Sequence, residues 1–190
     1  MRGTTRLPAV RRLLGRGTKA LARNRRGATI IEFAIVAAPF VALLIATLQT
    51  SLVFFAQQTL ETVSEETSRQ ILTGAVRSGT GPGSTSVADF HQIACKNLPS
   101  YMNCANLMID VQTADSFADV DTSTPSLYDN DGKPKTWDFN TGSAGDIVVM
   151  RTMYLLPVVG GPFGFDLANA DGSHRLLIAT AVFRTEPYLT

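Results

Sequence analysis

Between Phe33 and Leu60 the chain carries no charged side chain, and its densest stretch, FAIVAAPFVALLIATL, is almost wholly apolar. As a helix, the run from Phe33 to Gln57 would be about 37 Å long at a rise of 1.5 Å per residue. The hydrocarbon core of a bilayer is about 30 Å thick. A helix this uniformly apolar is out of place in the soluble core of a 190-residue protein, so the run predicts a transmembrane helix. Pro39 removes one intrahelical hydrogen bond and predicts a kink, which membrane helices tolerate. A cleavable secretory signal has an apolar region of about 7–15 residues; this run is longer and carries Glu32 at its start. The Arg11-Arg12 pair stands too far from the run for a twin-arginine signal.

Charge then orients the span. Up to Gly27 there are nine Lys and Arg and no acid, whereas the remainder holds 8 basic and 16 acidic residues. An excess of Lys and Arg marks the cytoplasmic side of a span. Residues 1–27 therefore read as a basic cytoplasmic leader, and residues beyond about 58 as lying outside. The basic arm has no aromatic residue for base stacking and runs straight into the apolar stretch, which argues against nucleic acid as a partner.

The helix is predicted to continue outward. Leu60, Val63, Thr67, Ile71 and Ala75 recur at spacings of three and four, with Glu61, Glu65, Glu66 and Arg69 on other faces. The spacing predicts one spanning and membrane-proximal helix over 28–77, ending at Gly74 and Ser78-Gly79. SGTGPGSTS, residues 78–86, reads as a flexible linker. Ser86 and Asp89 resemble a capping box ahead of a short helix over about 87–97. LMIDVQT (107–113), DIVVMRTMYLLP (146–157) and HRLLIATAVFRTEPY (174–188) read as strands. The fold class is thus α+β: a long N-terminal helix, then an outer domain over 87–190 with a short helix and an antiparallel sheet of about three strands. Residues 114–144 are polar and turn-rich, and so long a loop in a compact domain marks a functional or mobile segment.

The residues offer little catalytic chemistry and point to no cofactor. His91 and His174 have no neighbour at catalytic or metal spacing and read as surface or satisfied core histidines. Cys95 and Cys104 match no zinc pattern. Outside the cytosol they would form a disulfide, worth about 2–3 kcal/mol on the entropic account; the other reading is two buried thiols. YDNDGKPKTWD places Asp129, Asp131 and Asp138 near calcium-loop positions around Gly132, but Leu127 stands where the first ligand should be. An Asp-Gly turn is the better reading, so no metal site is expected. Trp137 reads as buried against the sheet or as a partner contact.

Glu32 remains. A carboxylate in a span is costly at the centre and cheaper near an interface, and Glu32 lies close to the basic side. It could snorkel to the headgroups beside Arg25 or Arg26. It could also pair with an amine, if a cut after Gly27 exposed the α-amino group of Ala28 on a neighbouring copy. The order basic cluster, Gly27, four residues, Glu32, Phe33, apolar helix resembles the cleavage site of type IV prepilin-class proteins. GATIIEFAIVAAPF resembles specifically the TadE-like pilus assembly proteins of the tight-adherence (Tad/Flp) system, and GDIVVMRTMYLLP and AVFRTEPY resemble their closing strands. The resemblance implies processing by a prepilin peptidase after Gly27, with Ala28 as new N-terminus and Glu32 and Phe33 as recognition and assembly residues. It implies a single-pass protein of the bacterial inner membrane with its 87–190 domain in the periplasm. Its partners would be other pilins, pseudopilins and the Tad machinery, and its role would be a non-enzymatic, minor pseudopilin-like one. Ala28, Ala34, Ala37 and Ala38 would permit close helix approach. The rival readings are an uncleaved, membrane-anchored periplasmic scaffold and, more distantly, an anchored enzyme with a polar pocket at His91 or His174.

Overall fold

The computed structural model describes residues 25–79, 83–121, 123–129, 131 and 133–186. The basic leader before Arg25, Gly132 and the last residues of the third strand's expected range lie outside them. The apolar run and its outward extension form one α-helix, α1, Arg25–Leu72, which passes through Pro39. Several hydroxyls inside α1 are satisfied within the helix. The hydroxyls of Thr47, Thr50 and Ser51 each donate to the carbonyl four residues earlier at 2.8 Å, the pairing an apolar surrounding demands of such groups.

The helix stops sooner than the spacing predicts. Gly74 adopts φ +71°, the left-handed conformation that glycine enters without steric cost. Its amide bonds to the Ile71 carbonyl at 2.9 Å, and the Val76 amide reaches back to Gln70 at 3.0 Å. Leu60, Val63, Thr67 and Ile71 are buried as the spacing predicts, but Ala75 lies past the turn and is exposed.

The 78–86 segment is tied at both ends. The Ser78 amide donates to the Thr141 hydroxyl at 2.8 Å, and the Thr141 amide to the Ser78 hydroxyl at 3.0 Å. The Thr85 amide bonds to the Arg77 carbonyl. Ser86 then caps α2, Val87–Lys96, by accepting from the Asp89 amide at 3.1 Å.

Three strands follow: β1, Leu107–Ala114; β2, Ile147–Pro157; and β3, His174–Arg184. They form one antiparallel sheet in the order β1-β2-β3. The fold is α+β, as the sequence predicts. β2 is central, and residues 148–154 are buried on both faces. The even-numbered face meets the helices. Val148 and Met150 pack with Ile71, Val76, Phe90 and Val111, while Tyr154 joins Val53, Ala56, Leu60, Met102 and Leu177. The core is therefore two clusters strung along the outer half of α1.

The opposite face is covered by the 114–144 loop. Arg151, only 7 % exposed, directs its guanidinium to the Asp121 carbonyl and lies 3.4 Å from the Asp121 carboxylate. Further along, the Val111 amide donates to the Asp138 carbonyl and the Asn140 amide to the Val111 carbonyl, each at 2.9 Å. This short parallel pairing covers the free edge of β1. It also stacks Phe139 on Phe90, with ring centroids 4.8 Å apart. Asp121 and residues 138–140 of the long loop thus pack as parts of the sheet, while bonds from Lys135 to Leu127 and from Asp129 to Lys133 close a local turn.

Candidate assembly surface on the exposed helix

The unusual feature of α1 is what its first half lacks. From Ile30 to Leu48 its large apolar side chains face outward: Ile30, Phe33, Val36 and Leu48 are each 65 % exposed or more. Exposed apolar patches on soluble monomers rarely pass a few hundred Å²; here about six turns of helix are bare. Among the described residues this is the one helix long and apolar enough to cross a membrane. Packing begins abruptly at Val53 and Ala56.

Two glutamines fix the domain to the helix at that boundary. Gln57 donates through Nε2 to the Ile178 carbonyl at 3.0 Å on β3. Two turns earlier, Gln49 donates to the Val159 carbonyl at 3.1 Å in the loop after β2. Further out, the Thr152 hydroxyl meets the Ser64 hydroxyl at 3.2 Å, both buried. These bonds add direction to an otherwise apolar seam.

Gly27, Glu32 and Phe33 lie on the bare end. A Cβ at Gly27 would meet nothing within 4 Å. Glu32 and Phe33 are both exposed, Phe33 by 73 %. Among the residues whose side chains are described, none pairs with the Glu32 carboxylate. Ala34 and Ala38 are exposed and Ala37 half-buried, while the side chain of Ala28 lies outside the described ones. Successive helical residues point about 100° apart, so Glu32, Phe33 and Ala34 lie on different sides of this end, among the equally exposed Ile30, Ile31, Ile35 and Val36.

The cysteines form a disulfide that joins α2 to the turn before β1, with Cα atoms 5.5 Å apart. His91 was expected to stand apart from other ligand types, and here the structure differs. Its Nδ1 lies 3.6 Å from Cys95 Sγ and 3.9 Å from Cys104 Sγ. Its Nε2 lies 3.0 Å from the Leu107 carbonyl. A carbonyl only accepts, so Nε2 donates to it, and Nδ1 is the ring nitrogen that faces the sulfurs. The three donor atoms fall within 4.8 Å of one another, but both sulfurs are spent in the disulfide, so neither is a thiolate able to bind metal. The i, i+4 spacing of His91 and Cys95 on α2 was the available signal; Cys104, on a separate turn, gave none.

The remaining candidates have structural partners. Asp129 Oδ1 accepts from the amides of Asp131 and Lys133 at 2.9 and 2.8 Å, closing its own turn. Asp138 accepts from Gln112. His174 Nδ1 lies 3.2 Å from the Asp171 carbonyl. Trp137 is half-buried, with Lys135 Nζ 5.5 Å from its ring centroid.

Comparison with known proteins bears on α1 alone. Residues 27–69 match the family model described as TadE-like protein. The resemblance to that family therefore holds over the helix, and the match does not extend to the outer domain. No curated protein and no solved structure matches the chain.

Proposed function

We propose that this protein is a pilus-assembly component of the Tad/Flp type, held in the bacterial inner membrane by α1 with its α+β domain in the periplasm. The observation that carries the reading is the match of residues 27–69 to the TadE-like family, on a helix whose first half is stripped of intramolecular contacts. The clustered bases before Gly27 and the acids after Leu60 support the orientation.

On this reading a prepilin peptidase cuts after Gly27 on the cytoplasmic side. Ala28 becomes the N-terminus, and its ammonium group pairs with Glu32 of an adjacent pilin-like helix. The pair offsets the cost of a carboxylate in the span and sets the register of one helix against the next. Phe33 and the alanines at 34, 37 and 38 form the rest of that contact. The outer domain gives the helix a rigid head for contact with other pilins, pseudopilins and the Tad machinery. The role is structural rather than catalytic.

Substitution at Glu32 tests the proposal. Glu32→Ala should leave membrane insertion intact and reduce pilus number and adherence; unchanged counts of both would remove Glu32 from assembly. Glu32→Gln, which keeps shape but not charge, should behave like Glu32→Ala.

A further inference from the structure

The loop between β2 and β3 ends in bare apolar side chains. Val159 is 79 % exposed and Phe163 85 % exposed. Phe163 also adopts φ +57°, a conformation that costs a bulky residue energy, and no intramolecular packing of its ring offsets that cost. No charged residue occurs between Thr152 and Phe165.

The position of this loop along α1 gives its surroundings. A hydrocarbon core of about 30 Å takes about 20 helical residues. Counted from Phe33, just past the last charge of the basic side, it ends near Leu52. Burial of α1 by the outer domain starts at Val53, which agrees with that count. The loop reaches one turn deeper: Gln49 Nε2 holds the Val159 carbonyl at 3.1 Å. A Cβ on Gly161 would stand 2.9 Å from Gln49 Oε1, so the loop backbone lies against the Gln49 side chain there. Tilting the helix brings Gln49 deeper still.

We propose that residues 157–165 are inserted into the lipid leaflet on the domain's side, with Val159 and Phe163 as anchors. Several features fit a lipid occupant. The loop satisfies much of its own backbone: Val158 N–H bonds to the Ser173 carbonyl, Gly161 N–H to Phe165, and Phe165 N–H to Pro162, while Pro162 has no amide proton to satisfy. Behind it lies an apolar cavity of about 460 Å³ between Leu52, Phe55, Leu156, Val158 and Leu167, suited to the end of an acyl chain. Tyr101, whose hydroxyl meets that of Thr59 at 2.8 Å, stands about two turns further out, where tyrosines gather at headgroup level. The outer domain would then rest on the membrane in a fixed attitude, with the helix and the loop as two points of support.

This inference rests on α1 spanning a bilayer, and its test separates the two. The full chain carrying Trp137→Phe, which removes its one tryptophan, is reconstituted into phosphatidylcholine vesicles. A tryptophan is then introduced by Phe163→Trp or, separately, Leu44→Trp, and quenching by lipids brominated at different depths of the acyl chain is read. Leu44→Trp should be quenched best by deep bromines and Phe163→Trp by shallow ones, with blue-shifted emission. Quenching at 44 with none at 163 overturns the loop insertion while leaving the span. Absence of quenching at 44 overturns the span and the insertion with it. Emission at 163 that is shielded from aqueous iodide yet insensitive to bromine would place the loop on a protein partner and also overturn the lipid assignment.

Discussion

Leu60 is fully buried where α1 leaves the apolar zone, packed among Ala94, Met102, Leu107, Tyr154 and Leu177. Leu60→Ala removes about three methylene equivalents, or roughly 2.4 kcal/mol at about 0.8 kcal/mol each. The site is framed by a helix, a sheet and a disulfide, so it collapses poorly and a cavity penalty adds to the transfer loss. The total should be about 3–4 kcal/mol, within the range of about 2.7–5.0 kcal/mol for buried leucines. Leu48, three turns earlier and 65 % exposed, serves as the control: Leu48→Ala should shift outer-domain stability by no more than about 0.5 kcal/mol. Urea unfolding in micelles, followed by Trp137 fluorescence, reads both. With a slope of about 1.5 kcal/mol per M, Leu60→Ala should lower the midpoint by about 2–2.7 M. Equal effects of the two substitutions, or none from Leu60→Ala, would refute the division of α1 into a lipid-facing half and a core-forming half.

The disulfide and the Arg151 contact give two further expectations. Cys95 and Cys104 should resist alkylation in the native exported protein until a reductant is added, and reduction should cost the outer domain about 2–3 kcal/mol in the same urea assay; ready labelling without reductant would contradict the bond. Asp121 is held below its ordinary value of 3.8, first by hydrogen bonds from the Ser123 amide and hydroxyl and then by the Arg151 guanidinium. A lowered carboxylate pKa contributes stability above the unfolded value, and that contribution disappears as pH falls through the folded value. The Ser123 amide resonance should therefore titrate with a midpoint below 3.8, and Arg151→Met should move it upward; a midpoint at or above 3.8 would dissociate Asp121 from this role.

Much of the fold was readable because its signals are local. A charge-free run longer than a bilayer core leaves few alternatives to a span. The Ser86-to-Asp89 spacing predicted the cap of α2, and apolar alternation placed all three strands within a few residues of their observed ends. The burial of β2 on both faces goes with its nearly continuous apolar run, Val148 to Tyr154 broken only by Arg151 and Thr152. What escaped depended on distant parts of the chain. Within 114–144 the described contacts with the sheet are single bonds to β1 and β2, such as Asn140 to Val111 and Arg151 to Asp121, which leave no periodicity to read. The meeting of His91 with both sulfurs needed Cys104 to be carried back across α2 by the turn before β1. At the bare end of the helix the Gly27–Glu32–Phe33 pattern was visible in sequence, and the chemistry proposed for it involves a partner outside the chain.

The mature N-terminus tests the central claim most directly. The chain, isolated from membranes of cells that express a prepilin peptidase, is sequenced from its N-terminus or weighed intact. The account predicts a protein beginning at Ala28, lacking the 27-residue basic leader. Recovery of Met1, or of any start other than Ala28, would contradict it and leave an uncleaved scaffold in its place.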